Sequence, residues 1–193
     1  MMIGKRKNKT MREYSYGEFM VLFPCCRDKH RHELVEQLLE SPCPDKICGV
    51  KVPTDLNAIS YGLIDDLKCD IEAEDPALAV AKTLLKLDEK KIFSANVVEI
   101  FGFMNFVRKE LERINAMFAS IKVQYSKEEL NAGVKDLDFG SFGVLDWYAR
   151  RMGITNQNEV RDVAWVRIFI CMKNDAEQNN YERRLHKQYD KKR

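Results

Sequence analysis

Between Ser94 and Phe118 the apolar residues fall at Val97, Ile100, Phe101, Met104, Val107, Leu111, Ile114 and Phe118. This spacing stays close to the 3.6-residue period of an α-helix for about six turns. Ser94 is placed to cap it. Gly102 inside the run costs about 1 kcal/mol relative to alanine, a modest penalty in a helix this long. No segment of the chain shows the sustained period-two alternation of a strand, so the fold class expected is all-α. A chain of 193 residues can bury a real core and holds one domain, or one domain with a small extra module.

Other helices follow from their start and stop signals. Asp28 opens one through Leu34, Val35, Leu38 and Leu39, stopped at Ser41-Pro42. Asp75-Pro76 starts another, with proline at its first position. Ser126 to Glu129 reads as a capping box. A helix near residues 138–152 stops at Gly153, Thr155 caps a short one through Val160, and a last one runs from Ala164 into the basic end. On that last helix the apolar face thins beyond Lys173, as it does on a helix that projects into solvent or meets a partner. Residues 42–55 hold three prolines and Gly49 and read as a linker with a short extended piece near Val50–Val52. Ser-Tyr-Gly-x4-Leu occurs twice, at residues 15–22 and 60–67, and reads as two similar helix starts. Two copies are too few for a solenoid. The expected layout is a basic disordered tail (1–12), a small Cys/His-containing helical module with its linker (13–54), and a helical domain (55–193).

The formal net charge is +2, unevenly spread: +5 in residues 1–12, +4 in residues 181–193, and −7 in the body between. Basic ends on an acidic body are solvated tails rather than a nucleic-acid-binding face, so nucleic acid is not an expected partner. No secretory segment or membrane span is apparent, which points to the cytoplasm and to reduced thiols. Cys25, Cys26, His30, His32, Cys43 and Cys48 cluster early, but the spacing is loose and contains no CxxC. They read as small apolar core residues with exposed histidines, and no metal is assigned. No phosphate-binding glycine loop, nucleophile elbow or HExxH is present, and the three histidines form no recognisable triad. Neither catalytic residues nor a cofactor are assigned, and the chain reads as a binder of other proteins.

The most distinctive stretch is 138–189. Phe139, Phe142, Leu145, Trp147 and Tyr148 make an aromatic-rich start, Trp165 and Phe169 follow, and both tryptophans of the chain lie here. Read structurally, these rings are the core of a small helical unit. Read functionally, they form a groove that grips amphipathic helices, with Arg150, Arg151 and Arg167 as its polar rim.

The same stretch carries Glu128, Glu129, Ala132 and Gly133, then Phe139-Gly140-Ser141-Phe142-Gly143, Asp146, and Ala149-Arg150-Arg151-Met152-Gly153-Ile154-Thr155. Glu159-Val160, Trp165, Tyr181 and Leu185 follow. Together with Ser60-Tyr61-Gly62 through Leu67, this pattern resembles the tail assembly chaperones of long-tailed bacteriophages over roughly residues 55–190. Residues 1–54 have no counterpart in it. The resemblance implies a helical, non-enzymatic homo-oligomer in the cytoplasm of an infected bacterium, absent from the mature virion. Its partner would be the tape measure protein, with the tail tube protein as a second. Such proteins keep a long chain with exposed apolar patches from aggregating until the tube polymerises around it. The alternatives are a helical connector of the virion and a small regulator that binds zinc or nucleic acid.

Overall fold

In the computed structural model the backbone of residues 13–190 is described, together with all side chains in that range except Lys29, His30 and Asp190. The expected basic tail at 1–12 and the last three basic residues lie outside the described residues. The fold is all-α, as expected. Its helices are α1 (Tyr16–Leu22), α2 (Asp28–Leu39), α3 (Tyr61–Ile71), α4 (Pro76–Leu85), α5 (Glu89–Ser94), α6 (Val97–Ala119), α7 (Lys127–Asn131), α8 (Gly140–Met152) and α9 (Trp165–Asp190). A two-residue hairpin, β1 (Lys46–Ile47) with β2 (Val50–Lys51), fills part of the expected linker. The chain divides into two compact units. One is the described part of Met1–Thr54 with Asp66–Leu111, and the other is Asp55–Asp65 with the described part of Glu112–Arg193. Residues 13–54 therefore fold together with residues 66–111.

In the first unit the stripe read from α6 is its core: Val97, Ile100, Val107 and Leu111 are buried, and Phe103 adds a second buried face. Asp75 caps α4 by accepting the Leu78 N–H at 3.0 Å and also takes the Tyr16 hydroxyl at 2.5 Å. Burial, and then this carboxylate, push the Tyr16 phenol far above its ordinary range. Gly102 is needed for more than flexibility. A Cβ there would stand 2.0 Å from the Pro42 carbonyl oxygen, so α6 accepts the end of α2 only at a residue without a side chain. Beside it, Asn105 Nδ2 donates to the Leu38 and Leu39 carbonyls, both at 2.9 Å, and satisfies the open end of α2. Two start signals differ from expectation. Ser94 ends α5, a short helix not foreseen, and Asn96 caps α6 by accepting the Val98 N–H. Thr155 likewise gives way to Asn156, which accepts the Asn158 N–H at the start of a 3-10 turn, Gln157–Asp162, in the second unit.

The repeated Ser-Tyr-Gly motif makes the same joint in both units. In the first, Ser15 bridges Asn96, the Tyr16 N–H donates to the Ala95 carbonyl at 2.8 Å, and the Val97 N–H returns to Tyr14. In the second, Ser60 bridges Ala164, the Tyr61 N–H donates to the Val163 carbonyl at 2.8 Å, and the Trp165 N–H returns to Ile59. The glycine explains itself. A Cβ on Gly17 would meet Phe93 at 3.1 Å, and one on Gly62 would meet Arg161 at 2.8 Å. Each joint sits just before a long helix, and the two helices share a register: Val98, Ile100, Phe101 and Met104 of α6 recur as Val166, Ile168, Phe169 and Met172 of α9. Upstream, Ala77, Val80, Ala81 and Ile92 are buried in the first unit, and their counterparts Leu145, Tyr148, Ala149 and Val160 are buried in the second. The two units are variants of one arrangement.

Candidate functional site

The second unit contains the segment singled out in the sequence. Asp138 accepts the Gly140 N–H at 2.8 Å and turns the chain into α8. Gly153, left-handed at φ +68°, ends the helix. Leu145, Tyr148 and Ala149 point inward and are buried. Phe139 and Phe142 are 70% and 62% exposed. They flank Gly143, where a Cβ would collide with Phe139 at 2.5 Å, so the glycine lets the first ring lie along the helix.

An open depression of about 760 Å³ follows this face, lined by Phe139, Phe142, Asp146, Trp147, Arg150 and Arg151. Its floor is aromatic and its far rim is charged. Arg150 pairs with Asp146 one turn back at 2.5 Å. Arg151 grips Asp175 of α9 through Nε at 2.9 Å and Nη2 at 3.0 Å. Trp147 is half-buried, its ring 6.1 Å from that of Tyr148. This is chemistry for holding an apolar surface: large rings at low entropy cost, with guanidinium groups beyond them.

Five of the nine expected contact residues, Phe139, Phe142, Trp147, Arg150 and Arg151, meet here. The other four lie elsewhere. Leu145 and Tyr148 belong to the inner face of α8 and carry the core instead. Trp165 is fully buried: its Nε1–H donates to the Leu56 carbonyl at 2.6 Å and its ring lies beside Phe118 and Phe169. Phe169 does not reach the depression either, but packs edge-on to Phe118 at 5.6 Å. Leu137, 63% exposed and two residues before Phe139, was not foreseen. Its only sequence signal is an apolar residue in a loop.

The thinning face of α9 is exposed at its end, as expected, at Tyr181 and Tyr189, but Ala176 and Asn180 before it are buried. Asn180 donates to the Lys122 carbonyl at 2.7 Å and accepts the Gln124 N–H at 2.8 Å, so it holds an otherwise unpaired strand of backbone. One turn on, Arg183 meets Glu129. That guanidinium first, and the Ser126 N–H second, lower the Glu129 carboxyl to about 2.

None of the six cysteines is buried, which corrects their reading as small core residues. Cys25 lies in the turn after α1 and Cys48 in the hairpin, where the backbone stays at the surface. Among the described residues no group of three or more His, Cys, Asp and Glu is placed to hold a metal ion, and the His30 side chain lies outside them. No helix among the described residues is long and apolar enough to cross a membrane. No protein-family model, curated protein or solved structure matches the chain.

Proposed function

We propose that this protein is a non-enzymatic chaperone of bacteriophage tail assembly, which binds apolar segments of the tape measure protein and keeps them from aggregating. The observation that carries the reading is the pair Phe139 and Phe142, both mostly exposed on one side of α8 beside Trp147. Exposed apolar clusters on a protein surface mark interaction sites. The arginines beyond the rings suit a client segment with acidic residues at its flanks. A small area per copy gives modest affinity, and many copies along one long client make the coat strong by number while leaving each copy displaceable by tube subunits. On this reading the protein works in the host cytoplasm as a multi-copy complex and leaves before the virion is finished.

The test is co-expression with the tape measure candidate encoded beside it, followed by size-exclusion chromatography with light scattering. A client insoluble alone must become soluble in a complex with several copies of this chain. Phe139→Ser with Phe142→Ser must abolish that rescue while the chain itself stays folded. An unchanged client, or rescue that survives the double substitution, would overturn the reading.

A further inference from the structure

Beyond the end of α6, residues 121–125 read Ile-Lys-Val-Gln-Tyr and are not helical. Asn180 of α9 holds them from one side. Its amide donates to the Lys122 carbonyl at 2.7 Å and accepts the Gln124 N–H at 2.8 Å. In an extended chain a carbonyl and the N–H two residues later share one edge, so Asn180 takes the place that a neighbouring strand takes in a sheet. The alternate residues point their backbone groups the other way. The opposite edge therefore carries the Ile121 carbonyl, the N–H and carbonyl of Val123, and the Tyr125 N–H. No described residue bonds any of these groups, whereas the Ile121 N–H is engaged by the Phe118 carbonyl at 3.1 Å. Lys122 to Tyr125 are exposed, Val123 by 43% and Tyr125 by 39%. One edge of this short strand is covered and the other is open, and an open edge is a template for another strand.

We propose that this edge pairs antiparallel with the same edge of a second copy of the chain, about a two-fold axis at Val123. The open donors and acceptors point to that occupant. Val123 exchanges N–H and carbonyl with Val123 of the copy, and each Tyr125 N–H reaches the Ile121 carbonyl opposite. Every open group of one edge thus finds its complement on the other, as a self-complementary patch on a two-fold requires. The side chains agree with the backbone. The pairing sets Ile121 beside Tyr125 and Val123 beside itself, all residue types favoured in strands. It sets Lys122 opposite Gln124, so no like charges meet. The paired edge is short, so the association is weak and depends on concentration. It shares no residue with the α8 depression and stands whether or not that surface binds a tape measure. A dimer of this kind carries two such depressions.

The test is sedimentation equilibrium of the full chain as a function of concentration, with two charge variants placed at the axis. A reversible monomer–dimer equilibrium is expected. Val123→Lys and Val123→Glu each set like charges face to face and are expected to weaken the dimer at least tenfold. An equimolar mixture of the two variants is expected to restore it, because a two-fold axis at residue 123 brings the lysine of one chain opposite the glutamate of the other. Phe142→Ser is expected to leave the equilibrium unchanged. Circular dichroism confirms that each variant is folded, as an exposed position allows. Three results would overturn the proposal: a chain that is monomeric at every concentration, including one whose edge takes up an unrelated extended peptide instead; a dimer indifferent to both charge variants; or a mixture that fails to recover. Each leaves the tape measure reading intact. Failure of client rescue leaves this edge intact.

Discussion

The Tyr16 hydroxyl donates to the Asp75 carboxylate at 2.5 Å, and the same carboxylate oxygen accepts the Leu78 N–H that opens α4. One acid thus fixes the start of α1 and the start of α4 in the first unit. Tyr16→Phe removes one hydrogen bond to a charged acceptor and leaves the cap in place. A loss of about 1.5–3 kcal/mol is expected. Asp75→Ala removes the cap as well and must cost more, since capping alone contributes about 0.5–2 kcal/mol. Urea unfolding of the two variants checks the order, and an equal loss in both would mean that the tyrosine bond carries the whole effect.

Gly102→Ala gives a sign that helix propensity alone gets wrong. Replacing a helical glycine by alanine ordinarily stabilises by about 1 kcal/mol. Here the new methyl would stand 2.0 Å from the Pro42 carbonyl, so α2 or α6 must shift. The net effect expected is destabilisation by about 1–3 kcal/mol, the usual range for forcing a group into a filled space. A melting temperature equal to or above wild type would show that the chain near Pro42 yields freely.

The aromatic residues of the second unit separate by burial. Phe142→Ser changes an exposed ring and is expected to alter stability by less than about 0.5 kcal/mol, the usual limit for surface positions. Trp165→Ala opens a cavity and removes the indole bond to the Leu56 carbonyl. It is expected to cost about 3–5 kcal/mol. Thermal unfolding distinguishes them, and client binding by the Phe142 variant can then be read without a folding artefact.

Much of this fold is written locally. The stripe on α6, the proline start of α4, the Ser126 capping box and the stop at Gly153 each act within a turn or two, and each is where the sequence pattern puts it. What the pattern hides is non-local. The Ser-Tyr-Gly motif is visible, but its partners Asn96 and Ala164 are reached through backbone bridges, which leave no side-chain signature. The site was half legible for a related reason. Phe142 falls on the same helical stripe as Leu145 and Ala149, so period alone assigns it inward. It is exposed because it lies in the first turn, outside the reach of whatever covers the rest of the stripe. Asn180 misled in the opposite direction: a polar residue signalled solvent, yet it is buried because the neighbouring backbone needed a donor and an acceptor.

Glu129 and Arg183 set an acid limit on the second unit. Arg183 donates from Nη1 and Nη2 to the two carboxylate oxygens at 2.7 Å each, and the Ser126 N–H adds a third bond at 2.7 Å. The carboxyl is held at about 2, below its ordinary value of 4.5. A depressed acid binds its proton more readily in the unfolded chain. Its contribution is therefore fully present above about 4.5 and drains away as pH falls towards 2. Both side chains are more than one-third exposed, so salt must weaken the effect. Glu129→Gln is expected to melt below wild type at pH 7, with the gap closing between pH 4.5 and pH 2 and narrowing in 1 M salt. Arg183→Gln must show the same closing gap, because it removes the largest cause of the shift. A gap that stays constant across this window would assign the stabilisation to packing of the α7 segment rather than to the charge pair.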